Sequence, residues 1–368
     1  MKILFFIGSL RSGGKERRLV ELLSYLKNKG GYEMKLVLNY NDIAYQKFNT
    51  LGIDVIVLDK EKNNKDFSIF TKFYRICKDF KPDIIHTWGS MQSFYALPAK
   101  VLLNIPLVNS QIADAIGSER ISKFSNLVNN LNFRFSDVIC SNSYAGLKAY
   151  KQDKDKRAVV VYNGLDENRF IGLVDEADIR KKYEISTSYA VVMAASYSKQ
   201  KDWKRFVNIA ISVVKRRNDI TLLGVGAIAE ERMYNDLLLQ VKEYDNIKLK
   251  GRCAEVENLV NACDLGVLFS SRENHGEGVS NTIIEYLALG KTVVVDKSGG
   301  TPEFICEGVN GFFTDGKSDS EVADLIISLI DNESLRIEIG KNAKQTIQDK
   351  FTLDKMGQGF EDIYSKLK

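Results

Sequence analysis

Short runs of aliphatic, β-branched and aromatic residues alternate along the chain with longer stretches in which apolar positions recur every three or four residues. In the first half the short runs fall at residues 3–7, 35–38, 55–58, 83–86, 107–109 and 137–140. Runs this short, apolar without a polar face, predict strands buried on both sides. Between several of them the spacing becomes helical. Residues 16–29 place Leu19, Leu22, Leu23 and Leu26 on one face, and residues 67–80 predict a second helix. The second half repeats the pattern, with strands expected at 190–194, 220–224, 247–250, 265–269 and 292–296. Helices are expected there at 203–216, 231–243 and 282–289. Such alternation predicts the α/β class: parallel sheets with helices on both faces.

Residues 163–178 (NGLDENRFIGLVDEAD) are polar and poorly periodic, so the domain boundary is placed there: 1–165, then 166–350. Two doubly wound domains predict a ligand cleft at the carboxyl ends of their strands. The last segment, 351–368, reads as an amphipathic helix on Met356, Phe360, Ile363 and Tyr364.

Composition narrows the class. The 368 residues are 44% hydrophobic and 27% charged, with 4 prolines, which excludes whole-chain disorder and collagen-like repeats. No apolar run reaches the roughly 20 residues of a membrane span, and the first residues lack the long apolar core of a signal peptide. The five cysteines, Cys77, Cys140, Cys253, Cys263 and Cys306, form no C-x-x-C pair, which fits a reducing cytoplasm. The net charge of +4 is unevenly spread. Residues 1–165 carry 25 Lys and Arg against 15 Asp and Glu, whereas the remainder carry 27 against 33. The basic half suits an anionic partner or is an ordinary solvated surface. No nucleic-acid module accompanies the basic runs. No Asp-x-Asp motif or His/Cys cluster suggests a metal site.

Three segments carry candidate chemistry. In SSRENHGEGVSNTIIEYLALGKTVVVDKSGGTPEF, starting at Ser270, a strand leads into a glycine-containing loop and a helix starting at Ser280 or Asn281. Helix starts bind phosphate, and carboxylates accept hydrogen bonds from sugar hydroxyls. Glu277 lies in the loop and Glu285 about one turn into the helix. Taken alone, two such glutamates are equally a solvated pair flanking a helix start. The second segment, SYSKQKDWKRF, supplies Ser196 and Lys201. The third, GSLRSGGKERR, is a strand–glycine turn–helix that matches neither the Walker A pattern nor G-x-G-x-x-G.

These segments resemble, in order along nearly the whole chain, the retaining GT-B glycosyltransferases of family 4. The family pattern E-G-F-G-x-x-x-x-E, G-x-P-V-V and G-G-x-P-E reads here EGVSNTIIE, GKTVVV and GGTPE. VVVYNGLDENRF resembles the family's interdomain segment, and the final helix resembles the one that crosses back onto the first domain. The resemblance implies two Rossmann-like domains facing across a cleft, and transfer of a hexose or N-acetylhexosamine from a nucleotide diphosphate sugar. UDP is expected ahead of GDP, with no metal and no cofactor.

It implies that Glu277 lies by the transferred sugar, Glu285 by the ribose, and Lys201 by the diphosphate. Gly14, Ser196, Val279, Ser280 and Asn281 would line the donor, with Arg252 in the loop 251–253 near the base. The acceptor implied is a lipid-linked glycan in surface polysaccharide assembly, handled in the cytoplasm or on the inner membrane face. On the acceptor side the family places a His, matched by His86, which is equally a hydrogen-bonded structural residue. A second family His or Arg is missing here, and Asp114 is the nearest ionisable group. Two further departures are Ser280 in place of a glycine and a longer loop holding Arg272, Glu273 and His275. Phe67, Phe70, Phe73, Lys72, Arg75 and Lys78 form one candidate membrane face, unless the aromatics pack on the sheet. A non-catalytic sugar-nucleotide-binding subunit and a nucleotide-sugar epimerase remain open at this point.

Overall fold

The structure, a computed structural model, describes residues 1–11, 13–58, 66–116, 121–271 and 276–368. It divides into two compact units, one of residues 1–165 with 352–368, the other of residues 166–351.

The first unit holds seven parallel strands: β1 (Lys2–Ile7), β2 (Glu33–Leu38), β3 (Asp54–Val57), β4 (Ile84–Trp88), β5 (Leu107–Ile112), β6 (Val138–Ser141) and β7 (Ala158–Val160). Their order is β3-β2-β1-β4-β5-β6-β7. Side chains alternate across a strand, so β1 feeds two cores. Ile3, Phe5 and Ile7 join Leu19, Leu22 and the C-terminal helix residues Met356 and Phe360. Leu4 and Phe6 join Ile69, Phe73 and Tyr95 on the other face. Each fully buried phenylalanine contributes roughly 1.5–3 kcal/mol of transfer free energy. The chain reverses its direction of strand addition between β1 and β4, the crevice position of a doubly wound sheet.

The second unit holds β8 (Tyr189–Ala194), β9 (Ile220–Val225), β10 (Ile247–Lys250), β11 (Leu265–Leu268), β12 (Thr292–Val295) and β13 (Phe312–Phe313). Their order is β10-β9-β8-β11-β12-β13, again all parallel. Here the reversal lies between β8 and β11. The helices Trp203–Val214, Glu231–Val241 and Asn281–Ala288 occupy the expected places.

One strand of the first unit was not expected from the sequence. Ala158–Val160, ahead of the proposed boundary, is an edge strand paired with β6. On the helix Ser68–Phe80 the structure matches the alternative to a membrane face, with aromatics packed inward. Phe73 is fully buried and stacks on Phe6, and Phe70 packs edge-on against Phe94 and Tyr95. Only Phe67, 72% exposed, stands clear. Among the described residues, no helix is long and apolar enough to cross a membrane.

Candidate active site

The carboxyl ends of β8 and β11 carry the two loops that the sequence singles out. Each is braced from below. Trp203 stacks on Tyr197 and its indole N–H donates to the Ser196 carbonyl at 2.8 Å, which fixes the turn between β8 and the following helix. The hydroxyl of Ser196 lies 3.1 Å from that of Ser198. At the root of the other loop, buried Asp296 accepts from the Ser270 amide at 2.8 Å and from Arg205 at 2.8 Å. Burial raises the pKa of Asp296, while Thr314, the Ser270 amide and Arg205 favour its charged form.

The helix Asn281–Ala288 starts at Ser280, in extended conformation and without a side-chain cap. It is pinned over the end of β8. The Thr282 hydroxyl donates to the Ala194 carbonyl at 3.1 Å, and the Tyr286 hydroxyl accepts from the Ala194 amide at 2.7 Å. Gly266 on β11 makes this possible, because a β-carbon there would overlap the Tyr286 ring. Val279 and Ser280 are buried at the helix start, where the positive end of the helix dipole lies.

Lys201 and Glu277 form an ion pair, with side chains 14% and 12% exposed. Burial lowers the pKa of Lys201 to about 8, and Asp296 partly offsets this. The Glu277 carboxylate acts in the same sense as Asp296. Glu277 is held through its backbone as well: its carbonyl accepts from the Gly300 amide at 3.2 Å, and the Gly278 carbonyl accepts from the same amide at 3.1 Å. Gly299, at φ +51°, passes so close that a β-carbon would overlap the Glu277 carbonyl oxygen. The G-G-x-P-E segment thus fixes the Glu277 loop.

Eight residues on, Glu285 is buried and accepts from Arg169 at 2.9 Å. Arg169 also pairs with Glu257. Burial works against the Arg169 charge, but the two carboxylates outweigh it and raise its pKa. The sequence reading quoted Arg169 within NGLDENRF without assigning it a role. Its partners lie 88 and 116 residues away, so nothing local could signal the contact.

Arg252 is exposed just beyond β10, in a loop whose Gly251 carbonyl accepts from the Gly226 amide at 3.1 Å. It belongs to the rim formed by the carboxyl ends of the parallel strands. Arg272, Glu273 and His275 lie outside the described residues. Among the described residues, no group of three or more His, Cys, Asp or Glu side chains is gathered to hold a metal.

In the first unit, Gly14 opens the helix Gly14–Lys29, with Gly13 as its N-cap. The Gly13 turn is held by the Tyr45 hydroxyl, which lies 2.9 Å from its amide and donates to its carbonyl at 2.7 Å. Asp114 accepts from the Tyr150 hydroxyl at 3.2 Å, and burial raises its pKa. Of the two readings open for His86, the geometry matches the hydrogen-bonded structural one. His86 has no exposed surface, and its ring nitrogens lie 2.7 Å from the Tyr364 hydroxyl and 2.8 Å from the Ser110 hydroxyl. Burial, and then the Arg18 charge, push its pKa well below the usual value, so it stays neutral. Arg18 lies over the Trp88 and Phe360 rings and donates to the Val161 carbonyl. His86 therefore helps to bind the C-terminal helix to the first sheet.

Two doubly wound units, the second with a cation–carboxylate pair at its switch point, match the GT-B fold. Sequence profiles agree: residues 12–169 match the family described as "Glycosyltransferase Family 4" and residues 175–346 match "Glycosyl transferases group 1". The chain belongs to the GT-B glycosyltransferases of family 4. It is 25% identical over 309 residues to the N-acetyl-alpha-D-glucosaminyl L-malate synthase of Bacillus anthracis, covering 81% of this chain and 78% of that one. It is 23% identical over 320 residues to the N,N'-diacetylbacillosaminyl-diphospho-undecaprenol alpha-1,3-N-acetylgalactosaminyltransferase of Campylobacter jejuni, covering 82% of each. Among solved structures, Anabaena HepE in complex with UDP superposes with a TM-score of 0.85 at 24% identity over 100% of both chains. The same protein in complex with UDP-glucose superposes at 0.84 and 23% identity, again over 100% of both.

Proposed function

We propose that this glycosyltransferase moves a hexose or N-acetylhexosamine from a UDP-sugar to a hydroxyl of a lipid-linked glycan, with retention of anomeric configuration and without a metal. The observation that carries the reading is the Lys201–Glu277 pair beside the start of the helix that bears Glu285. In this scheme Lys201 and the helix dipole stabilise the diphosphate as the bond from the sugar C1 to its phosphate oxygen breaks. The acceptor hydroxyl attacks C1 from the same face, and its proton passes to the departing phosphate oxygen. Glu277 orients the sugar hydroxyls and Glu285 accepts from the ribose. Support for UDP comes from the Anabaena protein, whose structures contain UDP and UDP-glucose. Support for a lipid-linked acceptor comes from the Campylobacter relative, named for an undecaprenol diphosphate acceptor. Lys201 supplies the charge that a divalent ion supplies elsewhere, which supports metal independence.

Thermal unfolding with UDP, GDP and ADP in EDTA tests this reading. A ligand at 100 times its Kd adds about 2.7 kcal/mol. UDP is expected to stabilise the wild type and the Glu285→Ala variant much less. Stabilisation by none of the three sinks the donor site; a requirement for added magnesium sinks metal independence.

We also propose peripheral contact of the first unit with an anionic membrane on the cytoplasmic side. The basic excess of residues 1–165 supports it. So do Phe124 and Leu127, 62% and 58% exposed on the helix Lys123–Phe135, which replace the face first considered. Flotation with vesicles containing anionic lipid should carry the protein at low salt and release it at high salt. Failure to float under either condition removes the idea.

A further inference from the structure

We infer that Arg169 is a positioning residue for ribose recognition, orienting the Glu285 carboxylate through a direct hydrogen bond; this rests on the donor-site reading above. Arg169 lies in the short 3₁₀ helix Glu167–Phe170, at the entry to the second unit. That segment is anchored by two bonds independent of Glu285. The Asp166 carboxylate accepts from the Asn168 amide at 3.1 Å, and the Asn258 side chain accepts from the Val174 amide at 2.9 Å. The guanidinium is 23% exposed and lies over the Phe170 ring. A single nitrogen, Nη2, donates to both Glu285 and Glu257, so one cation bridges the helix Asn281–Ala288 and the helix Val256–Asn261.

The two carboxylates that share this nitrogen are largely shielded, 7% and 20% exposed. A ribose presents hydroxyl donors, which a carboxylate accepts at both oxygens. The bond from Arg169 is one hold on the direction in which Glu285 presents those oxygens. Its removal therefore weakens ribose recognition and leaves diphosphate contacts alone. Arg169 bonds one oxygen of Glu285, and a carboxylate has about four lone-pair directions, so the same bond orients the group without exhausting it.

The test is titration calorimetry with UDP and 2′,3′-dideoxy-UDP on the full chain, for wild type, E285Q, R169M and R169K. Wild type is expected to bind UDP about tenfold more tightly than the dideoxy analogue. E285Q and R169M should lose that preference while binding the analogue as wild type does. R169K should recover part of it, because a single nitrogen makes both contacts. A purely structural role for Arg169 would weaken both ligands equally and leave their ratio intact. R169M with the wild-type ratio, or with parallel losses on both ligands, overturns the inference while the ribose assignment survives. A wild type or E285Q that departs from expectation overturns the ribose assignment, and the inference with it. A destabilised R169M is read through R169K, in which a lost ratio despite wild-type analogue binding sinks the role of the single-nitrogen bond.

Discussion

Replacing Lys201 with alanine is expected to lower transfer about 10²–10³-fold, the range for removing one preorganised group that stabilises developing charge. Glu277→Gln should fall in the same range through loss of sugar orientation. Lys201 sits at the base of the loop after β8, with Trp203 and Tyr197 bracing the turn, so its truncation leaves the fold standing. The pH profile separates a charge role from packing. With its pKa lowered to about 8 by burial, Lys201 is protonated below that pH and loses its charge above it. The charged form attracts the diphosphate, so kcat/KM should fall as pH rises through about 8, approaching tenfold per unit. Glu277 favours the charged lysine, so Glu277→Gln should move this alkaline limb to lower pH. Lys201→Arg, charged throughout, should abolish the limb whatever its effect on rate. An unchanged limb in Lys201→Arg, or a loss under threefold in Lys201→Ala, would falsify the charge role.

The fold was legible because both sheets are parallel and buried on both faces. Their strands read as unbroken apolar runs, and the helices between them carry a helical period. What stayed illegible follows from length and distance. Ala158–Val160 is a three-residue edge strand, half-buried along its length, too short for any pattern. On the helix Ser68–Phe80 the aromatic positions were visible, but the partners that bury them, Phe6, Phe94 and Tyr95, sit on other elements. In the site, Glu277, Glu285 and Lys201 were named because local motifs surround them. The contact between His86 and Tyr364 spans 278 residues, and that between Arg169 and Glu285 spans 116; neither leaves a local trace. Motifs therefore exposed the residues proposed to face the donor, while the side chains that hold them emerged only from tertiary structure.

The backbone behind Glu277 supports the second large effect. Gly299→Ala is expected to cut UDP affinity at least 100-fold, and Gly308→Ala to leave it unchanged. Both glycines have positive φ, +51° and +71°, and an alanine there carries a similar backbone cost of about 1–2 kcal/mol. Their surroundings differ. The β-carbon of Gly308→Ala meets nothing within 4 Å, whereas that of Gly299→Ala overlaps the Glu277 carbonyl. Backbone cannot yield as the far end of a side chain can, so the 276–279 loop must move away from Gly300. That movement breaks the bonds from the Gly300 amide to Glu277 and Gly278 and carries Glu277 off Lys201. It also disturbs the start of the helix Asn281–Ala288, so diphosphate and sugar contacts are lost together. Thermal unfolding of the two variants should show comparable losses from φ, with a further loss in Gly299→Ala. Calorimetry with UDP then isolates the loop. If Gly299→Ala binds UDP as Gly308→Ala does, the Glu277 loop is not what this glycine protects, and the G-G-x-P-E segment serves stability alone.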